Sequence, residues 1–142
     1  MKLAPMIELS AAKRAEYQAG VARREAESQR RRANHLARAQ EVARAAAAML
    51  RTKYGATRVV IFGSLAQPAR FHVRSDVDLA AWGIDERAYL RAVADVTALD
   101  AEVLVDLVRV EEITPSLLTA IEQEGQELCL QSLNKPSDGE KA

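Results

Sequence analysis

The sequence predicts an α+β fold: one small domain of helices and short strands behind a long N-terminal helix. Three observations carry this expectation. Residues 8–53 contain no proline and are dominated by Ala, Arg, Glu and Gln, with Gly20 the single weak point for a helix. Short apolar or β-branched runs follow at 58–62, 77–82 and 102–110. Between and after these runs lie two stretches with helical spacing, one opened by Asp85 and the other by Thr114-Pro115.

The long helix has a seam at 3-4 spacing: Ala12, Ala15, Ala19, Ala22, Ala26, Gln29, Ala33, Leu36, Gln40, Ala43, Ala47 and Leu50. A stripe so narrow fits a helix with one buried edge. Alanine buries little area, so the first half of the arm gains little from packing by itself. Two readings stay open: close packing against a partner helix or a second copy, or a solvated arm. Arg23, Arg24, Arg30, Arg31, Arg32 and Arg38 have the charge to meet nucleic-acid phosphate. With hardly any aromatic residue in the arm there is no stacking platform, so solubility explains these arginines better. His35, a lone histidine on this helix, reads as a surface residue.

Gly55 closes the arm, and Arg58 to Phe62 reads as the first strand. A loop carrying Pro68, Arg70, Phe71, His72 and Arg74 leads to the second strand, Val77 to Trp82, which Gly83 breaks. Asp85 is placed to cap a helix to about residue 99, with Tyr89, Leu90, Val93 and Val96 on its apolar side. Alternation in the run 102–110 puts Val103, Val105 and Leu107 on one face and Leu104, Asp106 and Val108 on the other. Thr114 and Pro115 read as N-cap and first residue of a last helix spanning 116–130, with Cys129 as apolar filler. The expected organisation is a helical arm at 1–53, a domain at 54–131 and a disordered polar tail at 132–142.

Charge is divided unevenly. Residues 11–53 hold 11 Lys/Arg against 4 Glu, and residues 54–142 hold 8 Lys/Arg against 15 Asp/Glu, a basic arm before an acidic domain. One cysteine excludes an internal disulfide and suits a reducing compartment. No apolar run approaches the roughly 20 residues that span a bilayer, and the first ten residues lack a signal-peptide core. A cytoplasmic protein with no membrane partner is expected.

The chemistry concentrates between Val59 and Gly83. Asp76 and Asp78 are two apart on an extended segment, so both project from one face while Val77 and Leu79 project from the other. Carboxylates so close repel unless a cation or a proton lies between them. Such hard oxygen ligands suit Mg²⁺, which takes one or two carboxylates together with substrate phosphates. Gly63 lets backbone approach a ligand closely, and exposed amides in the turn it opens with Ser64 attract phosphate. Taken alone, the Gly63-Ser64 pair equally suits an ordinary strand-to-helix turn with Ser64 as N-cap. Arg70 and Arg74, in the loop between, have the charge to neutralise phosphate or to serve as plain surface arginines. Trp82 reads as core packing ahead of base stacking. Asp106 interrupts an apolar run where an unpaired buried carboxylate would be costly, so it lies beside other charges or at a strand end.

These residues resemble a family. Phe62-Gly63-Ser64, Ser75-Asp76-Val77-Asp78-Leu79 and Val105-Asp106-Leu107 are similar to the motifs of minimal nucleotidyltransferases of the DNA polymerase β superfamily. Pro115-Ser116-Leu117-Leu118 and Ile121-Glu122-Gln123-Glu124-Gly125 look like their closing helix. The resemblance covers about residues 54–130 and implies a polymerase-β-like core, a small mixed sheet with flanking helices. It implies transfer of AMP, or another NMP, from ATP to an acceptor hydroxyl. Asp76, Asp78 and Asp106 would be the catalytic and metal-binding carboxylates for one or two Mg²⁺ ions. Gly63 and Ser64 would hold the departing phosphates, with Arg70 and Arg74 as further nucleotide contacts. Small proteins of this kind resemble the antitoxin half of HEPN/minimal-nucleotidyltransferase pairs, which modifies a tyrosine of its HEPN ribonuclease partner. The alternative is a non-catalytic antitoxin that neutralises its partner by contact alone.

Overall fold

The computed structural model describes Ser10 to Leu128. The expectations for Cys129 and for the tail lie outside the described residues. The first helix, α1, spans Ala11–Lys53. Ser10 opens it by accepting from the Lys13 amide at 3.1 Å through Oγ, as an N-cap serine does. Chain contacts divide the protein into two units whose boundary falls within α1, between Asn34 and His35. In the first unit the helical turns of α1 keep most side chains exposed, Tyr17 among them. From Leu36 onward the seam turns inward: Leu36 and Gln40 are half-buried, and Ala43, Ala47 and Leu50 are within 1 % of full burial, joined by Ala39, Val42 and Ala46.

The second unit is built on a four-stranded sheet. Its strands are β1 (Arg58–Phe62), β2 (Val77–Trp82), β3 (Val105–Arg109) and β4 (Gln126–Leu128), in the order β3-β2-β1-β4. Strand β1 runs antiparallel to both β2 and β4, while β2 and β3 are parallel, so the sheet is mixed. The parallel pair needs a crossover, supplied by α2 (Tyr89–Thr97). Asp85 accepts from the Arg87 amide and caps a short 3-10 turn that leads into α2. Leu90, expected on the apolar side of that helix, is instead 77 % exposed, and Ala92 and Val96 are the buried residues. The contact arc of this nine-residue helix is narrower than its apolar arc.

Alternation sorts the strands into two layers. Val59, Ile61, Val77, Leu79, Val105 and Leu107 pack with α1 and α2. Val60 and Ala80 lie under Ile121 of α3 (Pro115–Glu124), with Phe62, Trp82, Val108 and Leu117 beside them. Each apolar side chain fully removed from water contributes about 1.5–3 kcal/mol, so the α1/α2 layer is the larger source of stability.

The last element differs from expectation. Thr114 caps α3 and Pro115 begins it, but the helix stops at Glu124, and residues 126–128 form β4 against β1. Gly125 marks the change. A Cβ there would come within 2.4 Å of Val60 Cγ1 and 2.5 Å of the Ile121 carbonyl oxygen. Arg58 holds this corner by reaching Glu122 and Glu127 while its guanidinium lies 4.4 Å over the Trp82 ring. From α1, Arg51 donates to the Leu128 carbonyl at 2.5 Å. Helical periodicity cannot report a turn enforced by such contacts. Gly125→Ala is expected to cost about 1–3 kcal/mol in urea unfolding, because two of the three atoms it meets are backbone oxygens and cannot yield.

Candidate functional site

The site begins with strand register. Phe62 pairs with Asp78 across the antiparallel ladder, and Asp78 pairs with Asp106 across the parallel one. The three residues form one row. Two residues further along, the row Val60, Ala80, Val108 is covered by Ile121. The two aspartates therefore stand on the α3 face of the sheet, at the end where β2 and β3 begin. Asp76 precedes β2 by one residue and is exposed.

Gly63 closes the same end. It follows β1 directly with φ of +73°, a left-handed backbone that favours glycine, and opens a 3-10 turn over Gly63–Ala66. A Cβ at this position would lie 2.4 Å from Asp78 Oδ2. The missing side chain is thus the space that the Asp78 carboxylate occupies. Ser64 is half-buried in this turn. It is not the cap of a helix, because Phe62 holds that position and no side chain caps the turn.

Electrostatics set Asp78 apart. Burial, then the charge of Asp106, then that of Asp76 push its pKa up to about 6. The ion pairs among the described residues use other carboxylates: Asp95, Asp100, Glu102, Glu111, Glu112, Glu122 and Glu127. None of these ion pairs includes Asp76, Asp78 or Asp106. Among the described residues, no three His, Cys, Asp or Glu side chains draw close enough together to hold a metal ion. The carboxylates share a region of one face without closing into a ready-made three-ligand cage, as mutually repelling groups would.

The other residues singled out in the sequence have contacts of their own. Arg70 donates to Gln67 Oε1 at 2.7 Å and is exposed, as is Arg74; neither forms an ion pair with Asp76, Asp78 or Asp106. Trp82 packs in the α3 layer beneath Arg58. His35 is not the surface residue expected of it. Its Nε2 donates to the Ser75 carbonyl at 2.9 Å, and its ring stacks on Phe71 at 5.3 Å. Tyr89, read only as apolar, donates its hydroxyl to the Leu107 carbonyl at 2.5 Å, next to Asp106. Burial first, then the charges of Asp106 and Glu112, raise its pKa. Neither residue has a local sequence signal, since the partner of each is remote along the chain.

A raised carboxylate pKa means that the folded protein resists ionising Asp78. The resulting penalty is absent at low pH, grows as pH rises toward about 6, and is complete above it. Asp78→Asn removes it. With EDTA present at pH 8, that variant is expected to melt on the order of 3 °C above the parent, a figure kept small because the group is half exposed. The gap should close toward pH 4, as thermal unfolding followed by circular dichroism will report.

No protein-family model matches the chain, and no curated protein matches it. Solved structures do. A toxin–antitoxin structure determined with AMP-PNP is 26% identical, with a TM-score of 0.50, and the match covers 58% of this chain and 68% of that one. The MntA-HepT toxin–antitoxin structure is 18% identical with a TM-score of 0.48, over 67% of this chain and 75% of that one. A long N-terminal helix, a four-stranded mixed sheet and its flanking helices thus give this chain a fold like that of the minimal nucleotidyltransferase antitoxins.

Proposed function

We propose that the chain is a Mg²⁺-dependent nucleotidyltransferase that moves AMP from ATP to a hydroxyl of a partner protein, a tyrosine of a HEPN ribonuclease toxin. In silencing that toxin it acts as an antitoxin. The observation that carries this reading is the row joining Asp78 to Asp106 beside a glycine turn whose missing side chain leaves room for the Asp78 carboxylate. A toxin–antitoxin structure of similar fold was determined with AMP-PNP, which supports a nucleotide as substrate.

The donor set fits a hard divalent ion. Carboxylate oxygens dominate it, none of them belongs to an ion pair among the described residues, and burial together with the charges of Asp106 and Asp76 holds Asp78 above the usual carboxylate range. Asp76 and Asp78 would hold the ion, with Asp106 beside them; phosphate oxygens of the nucleotide complete such sites, which accounts for an incomplete protein cage. When bound, Mg²⁺ supplies charge neutralisation on the phosphates and eases ionisation of the acceptor hydroxyl.

The chain's own residues do the rest. Ser64 and the amides after Gly63 would bind the β- and γ-phosphates and align the leaving group. Asp106 would face the acceptor, favouring loss of its proton. The acceptor oxygen forms a bond to the α-phosphorus while the bond to the bridging oxygen breaks. Pyrophosphate departs with the electron pair, and the hydroxyl proton passes to solvent by way of the carboxylates. The likeness to a toxin–antitoxin structure of similar fold supports a protein as the acceptor.

Label in the α-phosphate of ATP is expected to reach the partner when Mg²⁺ is present, and label in the γ-phosphate is not. Asp76→Asn and Asp78→Asn should each reduce transfer at least about a hundredfold, the size of a lost metal contribution of a few kcal/mol. Silencing of the ribonuclease that is undiminished in Asp76→Asn and occurs without transfer would instead establish neutralisation by contact.

A further inference from the structure

Ser75 is the one buried polar residue among the described positions, at 6 % exposure, and it immediately precedes Asp76. Each of its polar groups is engaged. Its Oγ accepts from the His72 amide at 2.9 Å, and its own amide donates to the His72 carbonyl at 2.9 Å. Its carbonyl accepts from His35 Nε2 at 2.9 Å, across forty positions of sequence. The first two bonds are local and close a turn. Only the third ties that turn to the helical layer.

Two further contacts make this tie rigid. Phe71, at the start of the turn, is 2 % exposed, and its ring stacks against that of His35 at an interplanar angle of 28°. At the other end the Val77 amide donates to the Leu104 carbonyl, fixing the first residue of β2 beside β3. The Ser75 carbonyl belongs to the same planar peptide as the Asp76 nitrogen. A hydrogen bond that orients this plane also limits the directions open to the Asp76 side chain. Asp76, being exposed and outside the ladder, has no regular strand pairing to do this for it.

We infer that His35 is a positioning residue for Asp76: through the Ser75 carbonyl it fixes the peptide from which the metal-binding carboxylate projects. This rests on the nucleotidyltransferase reading above. It gives α1 a part in the site as well as in the core. It also accounts for a histidine at this place, since a ring that both stacks on Phe71 and donates through its far nitrogen satisfies both contacts.

The test uses the full chain, with Mn²⁺ replacing Mg²⁺ so that bound metal is read by electron paramagnetic resonance in the presence of AMP-PNP. His35→Phe keeps a ring against Phe71 and removes the donor. His35→Gln keeps an amide N–H near the position of Nε2. Loss of an outer-sphere hydrogen bond is expected to weaken Mn²⁺ binding roughly ten- to hundredfold in His35→Phe, with thermal unfolding little changed and affinity largely restored in His35→Gln. Parent-like Mn²⁺ affinity in His35→Phe would overturn the inference. So would equal loss of affinity and melting temperature in both variants, the mark of a merely structural residue. If His35→Phe does not fold, imidazole ¹⁵N resonances of the parent at pH 8 decide: the Nε2–H tautomer supports the tie and the Nδ1–H tautomer overturns it. Parent protein whose Mn²⁺ binding is absent or unaffected by Asp76→Asn would overturn the enzymatic reading itself, and this inference with it.

Discussion

The parallel pairing of β2 with β3 is the constraint on which the site depends. It sets Asp78 opposite Asp106, residues separated by 28 positions and by a complete helical crossover. Two carboxylates in adjacent strands repel, and the partial burial of Asp78 raises the cost of its charge. The ladder holds them there because Val77, Leu79, Val105 and Leu107, on the reverse face, are anchored in the main core. Apolar burial on one side of the sheet thus sustains an electrostatically unfavourable arrangement on the other. A raised pKa at Asp78 is the measure of that conflict.

The same division of labour runs through the rest of the unit. The layer of α1 and α2 supplies most of the buried apolar residues, while α3 covers only the row beyond the acidic end. An α3 extended or shifted over that end would bury the carboxylates further. Instead the chain turns at Gly125, where no side chain fits, and returns along β1 as β4. Arg58 and Arg51 hold the returning strand, one through Glu122 and Glu127 and the other through the Leu128 carbonyl. The ion pairs of Arg58 are partly exposed, so each adds little to stability by itself. Their effect is to define where the chain goes.

Much of this was legible beforehand for reasons that can be named. Alternation over Val105, Asp106 and Leu107 assigned Asp106 to the face opposite the core, because a period of two leaves no other choice once the valine and leucine are buried. Thr114-Pro115 located the start of α3 through local capping chemistry. Asp85 likewise marked the approach to α2, by way of a 3-10 turn. Where the outcome depended on what an element packs against, the linear pattern misled. Leu90 belongs to the apolar spacing of α2 yet faces solvent, and residues 126–128 leave helical periodicity for a strand edge.

Sequence by itself determined the kinds of the main elements as far as α3, the face on which each aspartate lies, and a glycine turn after β1. Those properties follow from backbone periodicity and steric limits, which act over a few residues. Only the tertiary structure decided which strands are neighbours, and hence that Asp78 meets Asp106, that Gly63 yields its side-chain volume to a carboxylate, and that His35 reaches the peptide before Asp76. Each of these joins groups far apart in the chain. Such contacts arise from competition among packing arrangements for the whole apolar surface, and no local rule encodes its result.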